Sequence, residues 1–109
     1  MSTVRIQDGL TPIFAALADD TRWDILVRLG SRELSASGLA AELPVSRQAI
    51  AKHLATLADA GLVEAVPSGR EIRYRALGAR LTSVADQLAR IGNEWDARLA
   101  RIKAIAERL

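Results

Sequence analysis

Three long polar side chains lie close together near the middle of the chain. Arg47, Gln48 and Lys52 carry a guanidinium, a carboxamide and an ammonium group, and two of the residues between them are alanines. On a helix, residues 48 and 52 lie one turn apart on the same side. These groups hydrogen-bond to phosphate oxygens and to the edges of nucleobases, and small neighbours allow close approach. The pattern therefore favours an anionic partner, with DNA as the first candidate.

Catalysis and metal binding are disfavoured by what the sequence lacks. It has no cysteine and a single histidine, His53, which excludes disulfides, thiolate metal sites and a cysteine nucleophile. The adjacent carboxylates of Asp19 and Asp20 precede a predicted helix, where acidic groups complement the helix dipole. Neither a glycine-rich nucleotide loop nor a nucleophile motif occurs. We therefore predict that the protein is not an enzyme and uses no metal or other cofactor.

The net charge is small, but its distribution along the chain is uneven. Fifteen basic and thirteen acidic residues give a net charge of +2. Residues 10–44 carry three basic and five acidic side chains, whereas residues 45–77 carry five basic and three acidic ones. The second stretch therefore favours contact with an anionic partner. No apolar run resembles a signal peptide or a membrane helix, so we predict a soluble, cytoplasmic protein.

Four short helices are predicted within the first 60 residues, from apolar residues spaced three and four apart. The first two are separated by an acidic cap at Asp19, and Gly30 is expected to end the second helix in the left-handed conformation. Ser35 or Ser37 would cap the third helix. Pro44 ends it, because proline cannot continue the helical hydrogen bonds.

The third and fourth helices together span residues 36–60 and are joined by a tight turn. The predicted buried stripe of the fourth helix consists of apolar residues spaced four and then three apart: Ile50, Leu54 and Leu57. On a helical wheel, Gln48 and Lys52 lie opposite this stripe, Arg47 lies at the edge of the polar side, and His53 lies at the boundary. Two helices joined in this way predict a helix-turn-helix, whose second helix enters the major groove of DNA.

Residues 62–77 change from the helical period to an alternation with a period of two. Two strands are predicted on either side of a turn formed by Pro67–Arg70. Arg73 and Arg75 lie on the outer face of the second strand, and Arg70 lies in the turn. A hairpin beside a helix that reads DNA can contact the phosphate backbone or the minor groove. The alternative is a strand face that contacts only solvent.

A long amphipathic helix is predicted over residues 78–109. Its apolar residues recur at steps of three and four, so they stay on one side of the helix for about eight turns. A helix of about 30 residues spans about 45 Å, which is more than so small a domain can cover. The uncovered part of the stripe therefore needs a partner. Trp95 in this stripe fits an interface better than a ligand pocket, and Gly92 marks a kink or a close helix contact.

Several segments of the chain resemble motifs of the ArsR family. The segment LADDTRWDIL at residues 17–26 resembles the family's LADPTRxxIL motif, and VSRQAIAKHL at residues 45–54 resembles VSRQAVSKHL. Residues 33–43 resemble the third helix of the family, and AGLV at residues 60–63 followed by Gly69-Arg70 continues the match into the hairpin. Each piece alone is weak evidence of family, but their order along the chain makes the combined pattern specific.

The resemblance implies a winged-helix transcriptional regulator, usually a homodimeric repressor whose first and last helices form the dimer interface. It also implies that five residues lie at the DNA surface: Ser46, Arg47, Gln48, Lys52 and Arg70. The tail at residues 95–103 is similar to that of a cysteine-free branch of the family. Many relatives sense metals through cysteines or through histidine-containing sets on the last helix, which this chain lacks. Metal sensing is therefore not carried over, and the effector stays open.

Together these observations predict a mostly α-helical winged helix-turn-helix fold of about five helices and a two-stranded hairpin. We expect a single domain over residues 1–109, with a core at 10–77, the helix-turn-helix at 36–60, the wing at 62–77 and a dimerisation helix at 78–109. The expected function is sequence-specific regulation of transcription by a homodimer bound to a near-palindromic site in double-stranded DNA. The alternative is a winged-helix interaction module that binds another protein chain through its last helix.

Two sets of residues are predicted to make these contacts. The predicted DNA-binding residues are polar: Ser46, Arg47, Gln48, Lys52, His53, Arg70, Arg73 and Arg75. The predicted dimer interface is apolar and comes from the first and last helices: Ile13, Phe14, Leu17, Leu88, Ile91, Trp95, Leu99 and Ile102.

Overall fold

Five helices and a three-stranded antiparallel sheet form the described part of the protein, residues 11–108 of a computed structural model. The elements in chain order are α1 (11–17), α2 (Asp20–Leu29), β1 (Leu34–Ser35), α3 (Ala36–Glu42), α4 (Arg47–Asp59), β2 (Val63–Ser68), β3 (Glu71–Ala76) and α5 (Gly78–Arg108). The helices and the β2–β3 hairpin confirm the predicted winged helix-turn-helix fold. Residues 1–10 and 109, which belong to the single domain expected from the sequence, lie outside the described residues. Within the described range, no helix has both the length and the apolar character needed to cross a membrane.

Helices α2, α3 and α4 each begin at a residue whose side chain caps the helix. Asp19, Ser35 and Ser46 accept hydrogen bonds from the backbone N–H three residues later, at 3.0, 3.0 and 3.1 Å. Each cap satisfies an N–H group that has no partner inside the helix. Of the two serines considered for α3, Ser35 is therefore the cap.

The cap of α2 also makes folding sensitive to acid. The backbone N–H of Arg22 donates to the Asp19 carboxylate and holds the pKa of that group below its ordinary value of 3.8. A group with a lowered folded pKa stabilises the protein above its unfolded pKa. This contribution is lost as the pH falls through the folded pKa.

The ends of α2 and α4 differ in backbone conformation. Gly61, which follows α4, has a φ of +75°, and the N–H of Leu62 donates to the carbonyl of Leu57 at 3.0 Å to close the helix end. Gly30, by contrast, has φ −70° and ψ −24°, so the left-handed end predicted for α2 is wrong. The chain continues the helical turn through this residue, and its N–H still donates to the carbonyl of Leu26 at 3.0 Å.

The core lies between the helices and the base of the hairpin, with α4 at its centre. Ile50, Leu54 and Leu57 of α4 are fully buried, as their spacing predicts. The other buried apolar residues come from the remaining helices and the chain around the start of β2: Ile13, Ala16, Ile25, Leu26, Leu29, Leu39, Leu43, Leu62, Val63 and Val84. Burial of this apolar set supplies the main stabilising free energy of the fold.

The two-residue strand β1 is an addition to the predicted hairpin. The strand order in the sheet is β1-β3-β2, and Leu34 of β1 pairs with Tyr74 of β3. Two residues are too few for the alternation that identifies a strand in a sequence. Pairing with β3 therefore defines β1, and only the folded chain provides that partner.

The turn of the hairpin is shorter than predicted. Strand pairing continues to Ser68 and Glu71, so the loop consists of Gly69 and Arg70 alone. Gly69 has a φ of +63°, as glycine often has at the first position of a two-residue hairpin loop. Pro67, which was expected in the turn, lies in the edge strand β2, where a residue without an N–H is tolerated.

Helix α5 extends away from the core. It runs without interruption through Gly92 for 31 residues, which corresponds to a length of about 46 Å. Val84 is its one buried residue, and every position from 88 to 108 is exposed. The described part of the molecule is consequently elongated, with a longest dimension of 68 Å.

Replacing Leu54 by alanine should destabilise the fold by about 2–5 kcal/mol, because its side chain is fully buried at the centre of the core. Urea unfolding of the variant measures this change. The matched control is Lys52→Ala, an exposed position of the same helix, which should change the stability by no more than about 0.5 kcal/mol. An equal loss of stability in the two variants would show that the buried side of α4 does not stabilise the core.

Candidate nucleic-acid interface

Helix α4 turns a polar side away from the core. Arg47, Gln48 and Lys52 are exposed, whereas Ile50 between them is fully buried. Ala51, which is also exposed, adds little bulk to the polar side. Within one chain, the outward side of α4 is therefore free to lie in a groove of a partner, with long donors available along its first two turns.

The beginning of α4 adds backbone donors to this side. The hydroxyl oxygen of Ser46 accepts a hydrogen bond from the N–H of Ala49 at 3.1 Å, and Ser46 is exposed to solvent. The N–H groups of the first helical residues have no partner within a helix, and the helix dipole places partial positive charge at this end. The start of α4 therefore favours an anionic group such as a phosphate.

A cleft of about 370 Å³ lies between α4, the start of α3 and the hairpin. Arg47 at the start of α4 and Arg70 at the hairpin tip both line it, although they are 23 residues apart in the sequence. The remaining lining residues are mostly small, polar or half-exposed: Ser35, Ala36, Ser37, Ala51, Glu71, Ile72 and Tyr74. Two guanidinium groups from different elements therefore border the same concave surface, with one carboxylate among its lining residues.

The two arginines of β3 lie on the other face of the sheet. Since Tyr74 lines the cleft, the alternation of a strand turns Arg73 and Arg75 to the opposite side. Arg73 Nε donates to Glu71 Oε1 at 2.7 Å, and Arg75 Nε donates to Glu64 Oε1 at 2.6 Å. Both arginines are about half exposed. Part of their positive charge is therefore already compensated within the hairpin.

Comparisons with known proteins agree with this geometry. A family model described as a helix-turn-helix domain matches residues 17–66. The HTH-type transcriptional regulator Rv2034 of Mycobacterium tuberculosis is 39% identical over 83% of this chain and 81% of its own length. The solved structure of an ArsR-like transcriptional regulator from Rhodococcus sp. RHA1 is 61% identical, covers 97% of both chains and has a TM-score of 0.89. The chain belongs to the ArsR-like family of helix-turn-helix transcriptional regulators.

Membership of the ArsR-like family makes the protein a DNA-binding transcriptional regulator, as the sequence predicts. The alternative function of an interaction module finds no support in these relatives. A more distant solved structure, from Mycobacterium bovis, is described as a homodimeric winged helix-turn-helix DNA-binding domain. It is 24% identical over 84% of each chain with a TM-score of 0.68, and it shares the fold of this ArsR-like regulator.

A contact that sequence reasoning missed connects α4 to the end of α1. Arg22 Nε donates to the carbonyl of Ala16 at 2.6 Å, and its Nη2 donates to the carbonyl of Ala15 at 3.2 Å. Its Nη1 lies 3.3 Å from Nδ1 of His53, which therefore acts as the acceptor. Arg22 also pairs with Asp19 at 3.9 Å. Because 31 residues separate Arg22 from His53, no local sequence pattern could indicate their contact.

This contact limits what His53 can offer to DNA. The residue is half-buried at the edge of α4, as the helical wheel predicts, and one of its two ring nitrogens faces Arg22. The other ring nitrogen is the one left for a phosphate. Within residues 11–108, no three histidine, cysteine, aspartate or glutamate residues come together in a way that could hold a metal ion.

The residues predicted for the dimer interface fall into two groups, one packed in the core and one exposed at the surface. Ile13 is only 2% exposed and packs inside the protein, because α1 turns Ile13 and Ala16 together toward the core; its assignment to a dimer interface is corrected accordingly. Leu17 is partly buried against the same core. The other six predicted residues are between 40% and 63% exposed: Phe14, Leu88, Ile91, Trp95, Leu99 and Ile102.

Replacing Arg22 by alanine should destabilise the regulator by about 1–3 kcal/mol, because the partly buried acceptors on Ala16 and His53 lose a charged donor. The matched control is Arg32→Ala, which removes an exposed arginine paired with Glu42 and should cost less than about 1 kcal/mol. Urea unfolding compares the two. If Arg22→Ala lowers the free energy of unfolding no more than the control does, the contacts of Arg22 with α1 and α4 contribute little to stability.

Proposed function

We propose that this ArsR-like regulator is a homodimeric repressor that acts by binding, not by catalysis. Two α4 helices related by a two-fold axis would enter successive major grooves about 34 Å apart on a near-palindromic site in double-stranded DNA. A bound dimer would repress transcription by blocking access of the polymerase. In this arrangement residues 10–77 form the DNA-binding core and residues 78–109 the dimerisation helix of one domain.

The convergence of Arg47 and Arg70 on one cleft carries this proposal. Contacts to the phosphate backbone fix the orientation of a helix that reads the major groove, and the hairpin tip would supply such a contact on the same side of the molecule. Arg47 and Gln48 would read base edges, since arginine pairs with guanine and glutamine with adenine. Lys52 and the start of α4 at Ser46 would bind phosphates.

The remaining three predicted residues are assigned weaker contacts with DNA. Arg73 and Arg75 point away from the cleft and are paired with carboxylates, so each must give up an ion pair before it can bind a phosphate fully. His53 is half-buried, and one of its two ring nitrogens already contacts Arg22. We propose that these residues tune the position of the hairpin and of α4 and add long-range attraction to the DNA backbone.

Exposed apolar surface supports the proposed homodimer. Phe14 of α1 and the exposed stripe of α5 place large apolar side chains at 40% exposure or more in a single chain. Several large exposed apolar side chains along one helix are typical of an interaction site. The homodimeric protein of the same fold gives a precedent for the assembly, although its sequence is distant.

Replacing the side chains that are proposed to contact bases should reduce the protein's discrimination between DNA sequences. Arg47→Ala and Gln48→Ala should each weaken binding to the preferred site by about 1–3 kcal/mol and leave binding to unrelated DNA nearly unchanged. The preferred site is first obtained by enrichment of genomic fragments, and gel-shift titrations then measure both affinities. The matched control is Thr56→Ala at the far end of the exposed side of α4. If both variants retain wild-type discrimination, α4 does not read the bases.

Substituting the proposed backbone contacts should instead weaken binding to all sequences alike. Arg70→Ala should lower the slope of log affinity against log salt concentration by about one unit, because one phosphate contact is lost. Arg73→Ala should act in the same direction with a smaller effect, since Glu71 already compensates part of its charge. Titrations at several salt concentrations test this. Unchanged slopes in both variants would place the hairpin away from DNA.

A further inference from the structure

Helix α4 has two flanks, one on each side of its buried stripe. At about 100° per residue, Arg47 and Ala51 lie to one side of the stripe and His53 lies to the other. The first side borders the cleft that also contains Arg70 of the hairpin, and it is called the hairpin flank below. The second side meets α2 through the contact between His53 and Arg22, and it is called the α2 flank. The hairpin and this contact therefore lie on different sides of α4.

A helix in the major groove lies between two phosphate backbones. The groove is about 12 Å wide, and a helix with its side chains is about 10–12 Å in diameter. Both flanks of such a helix therefore come close to a backbone. Contacts to phosphates fix the orientation of the protein on the duplex. In the proposed function, Arg70 supplies a contact of this kind beside the hairpin flank, and a donor on the α2 flank would hold the other strand in the same way.

Arg22 is held in place by groups other than His53. Its Nε and Nη2 donate to the carbonyls of Ala16 and Ala15 at 2.6 and 3.2 Å, and its Nη1 lies 3.9 Å from Oδ2 of Asp19. The side chain of Arg22 is 19% exposed. Since the guanidinium is anchored to the end of α1 and pairs with a carboxylate, it presents a donor of fixed direction to the imidazole ring.

This donor determines which ring nitrogen of His53 carries the proton. A guanidinium has N–H donors and no acceptor, so the 3.3 Å contact of Arg22 Nη1 requires a lone pair on Nδ1 of His53. In a neutral imidazole, one nitrogen accepts and the other carries the proton. The proton of a neutral His53 therefore lies on Nε2, the ring nitrogen farther from the helix backbone. Because His53 is half-buried and not enclosed, part of the residue is accessible to a partner.

We propose that neutral His53 donates its Nε2–H to a DNA phosphate at the α2 flank, and that Arg22 is the positioning residue that fixes this tautomer. The inference rests on the proposed entry of α4 into the major groove and adds a second backbone contact to that of the hairpin. Arg70 and His53 then contact opposite strands across the groove. Since the charges of Arg22 and Asp19 are paired with each other, His53 acts as a hydrogen-bond donor and not as a cation.

Two substitutions of His53 separate the roles of its two nitrogens. Asparagine places an acceptor oxygen near the position of Nδ1, and glutamine places an N–H donor near the position of Nε2. His53→Asn should therefore keep the urea midpoint of the wild type but bind all DNA sequences about five-fold more weakly, since one neutral hydrogen bond is lost. His53→Gln should unfold at a lower urea concentration and bind DNA within about two-fold of the wild type. The reverse pattern would overturn the proposal.

The salt dependence of binding shows whether His53 acts as a neutral donor. Gel-shift titrations at about pH 8.5, where histidine side chains are ordinarily neutral, measure affinity for the preferred site and for unrelated DNA. The slope of log affinity against log salt concentration should be unchanged in His53→Asn, because a neutral donor displaces no counterion. A slope lowered by about one unit would show a cationic contact and overturn the proposed tautomer. The matched control is Thr56→Ala, one turn further along α4, whose hydroxyl donates to the carbonyl of Lys52; it should leave affinity and slope unchanged.

Neutral methylphosphonates, placed one at a time along both strands of the preferred site, locate the contacts. Neutralising the phosphate bound by His53 should weaken binding of the wild type and have a smaller effect on His53→Asn, since that variant has already lost the contact. The phosphate identified in the same way with Arg70→Ala should lie on the other strand. Two phosphates on one strand, or equal effects on His53→Asn and the wild type at every position, would overturn the proposal.

The role of Arg22 is tested without DNA by the spectrum of the imidazole ring. Because the chain has a single histidine, ¹⁵N labelling of histidine reports on His53 alone. Long-range ¹H–¹⁵N correlation spectra at about pH 8.5 should show a proton on Nε2 and none on Nδ1. In Arg22→Ala the Nδ1 resonance should move toward that of an unbonded nitrogen, and in Arg22→Lys, which keeps a charged donor, it should move back. A proton on Nδ1, or an unchanged resonance in Arg22→Ala, would overturn the positioning role.

The outcomes separate this inference from the proposed function. If Arg47→Ala and Gln48→Ala lose discrimination while His53→Asn keeps wild-type affinity, the contact at the α2 flank is wrong and base reading by α4 stands. If none of these variants changes DNA binding, α4 does not enter the groove and both proposals fail. We expect weaker binding by His53→Asn at an unchanged salt slope, together with a proton on Nε2 of His53 in the wild type.

Discussion

The burial of one stripe of α4 determines how the rest of the molecule can function. Ile50, Leu54 and Leu57 are removed completely from solvent, and rotating the helix would expose them at a cost of about 1.5–3 kcal/mol each. That cost fixes the direction of every other side chain on the helix. Arg47 and Gln48 are therefore presented outward by the packing of their neighbours. The closed helix end at Gly61 then leads directly into the hairpin, so the position of the wing follows from the same packing.

Features that depend on neighbours along the chain could be predicted from the sequence. The period of the apolar residues identified the helices and the two long strands, because each residue type must alternate between core and solvent at the period of its element. The helix caps at Asp19 and Ser46 are local hydrogen bonds between residues three apart, and the outward side of α4 follows from a helical wheel. The same locality explains why the family motifs are recognisable in a single sequence.

Features that depend on distant partners could not be predicted. Strand β1 is defined by its pairing with β3 at Tyr74, and two residues are too few to show an alternating pattern in the sequence. The contact between Arg22 and His53 joins residues that approach only after the core has formed. Ile13 and Phe14 are both apolar neighbours on a short helix, and a wheel without a known core could not say that the first is buried and the second exposed.

Pro67 has a consequence for how copies of this protein can meet. It lies in β2 at one edge of the sheet, and the other edge is formed by a strand of only two residues. An added strand from another molecule would find no N–H at residue 67 and almost no length at the opposite edge. The sheet is thus protected against edge-to-edge aggregation on both sides, which leaves association of this largely helical protein to surfaces outside the strands.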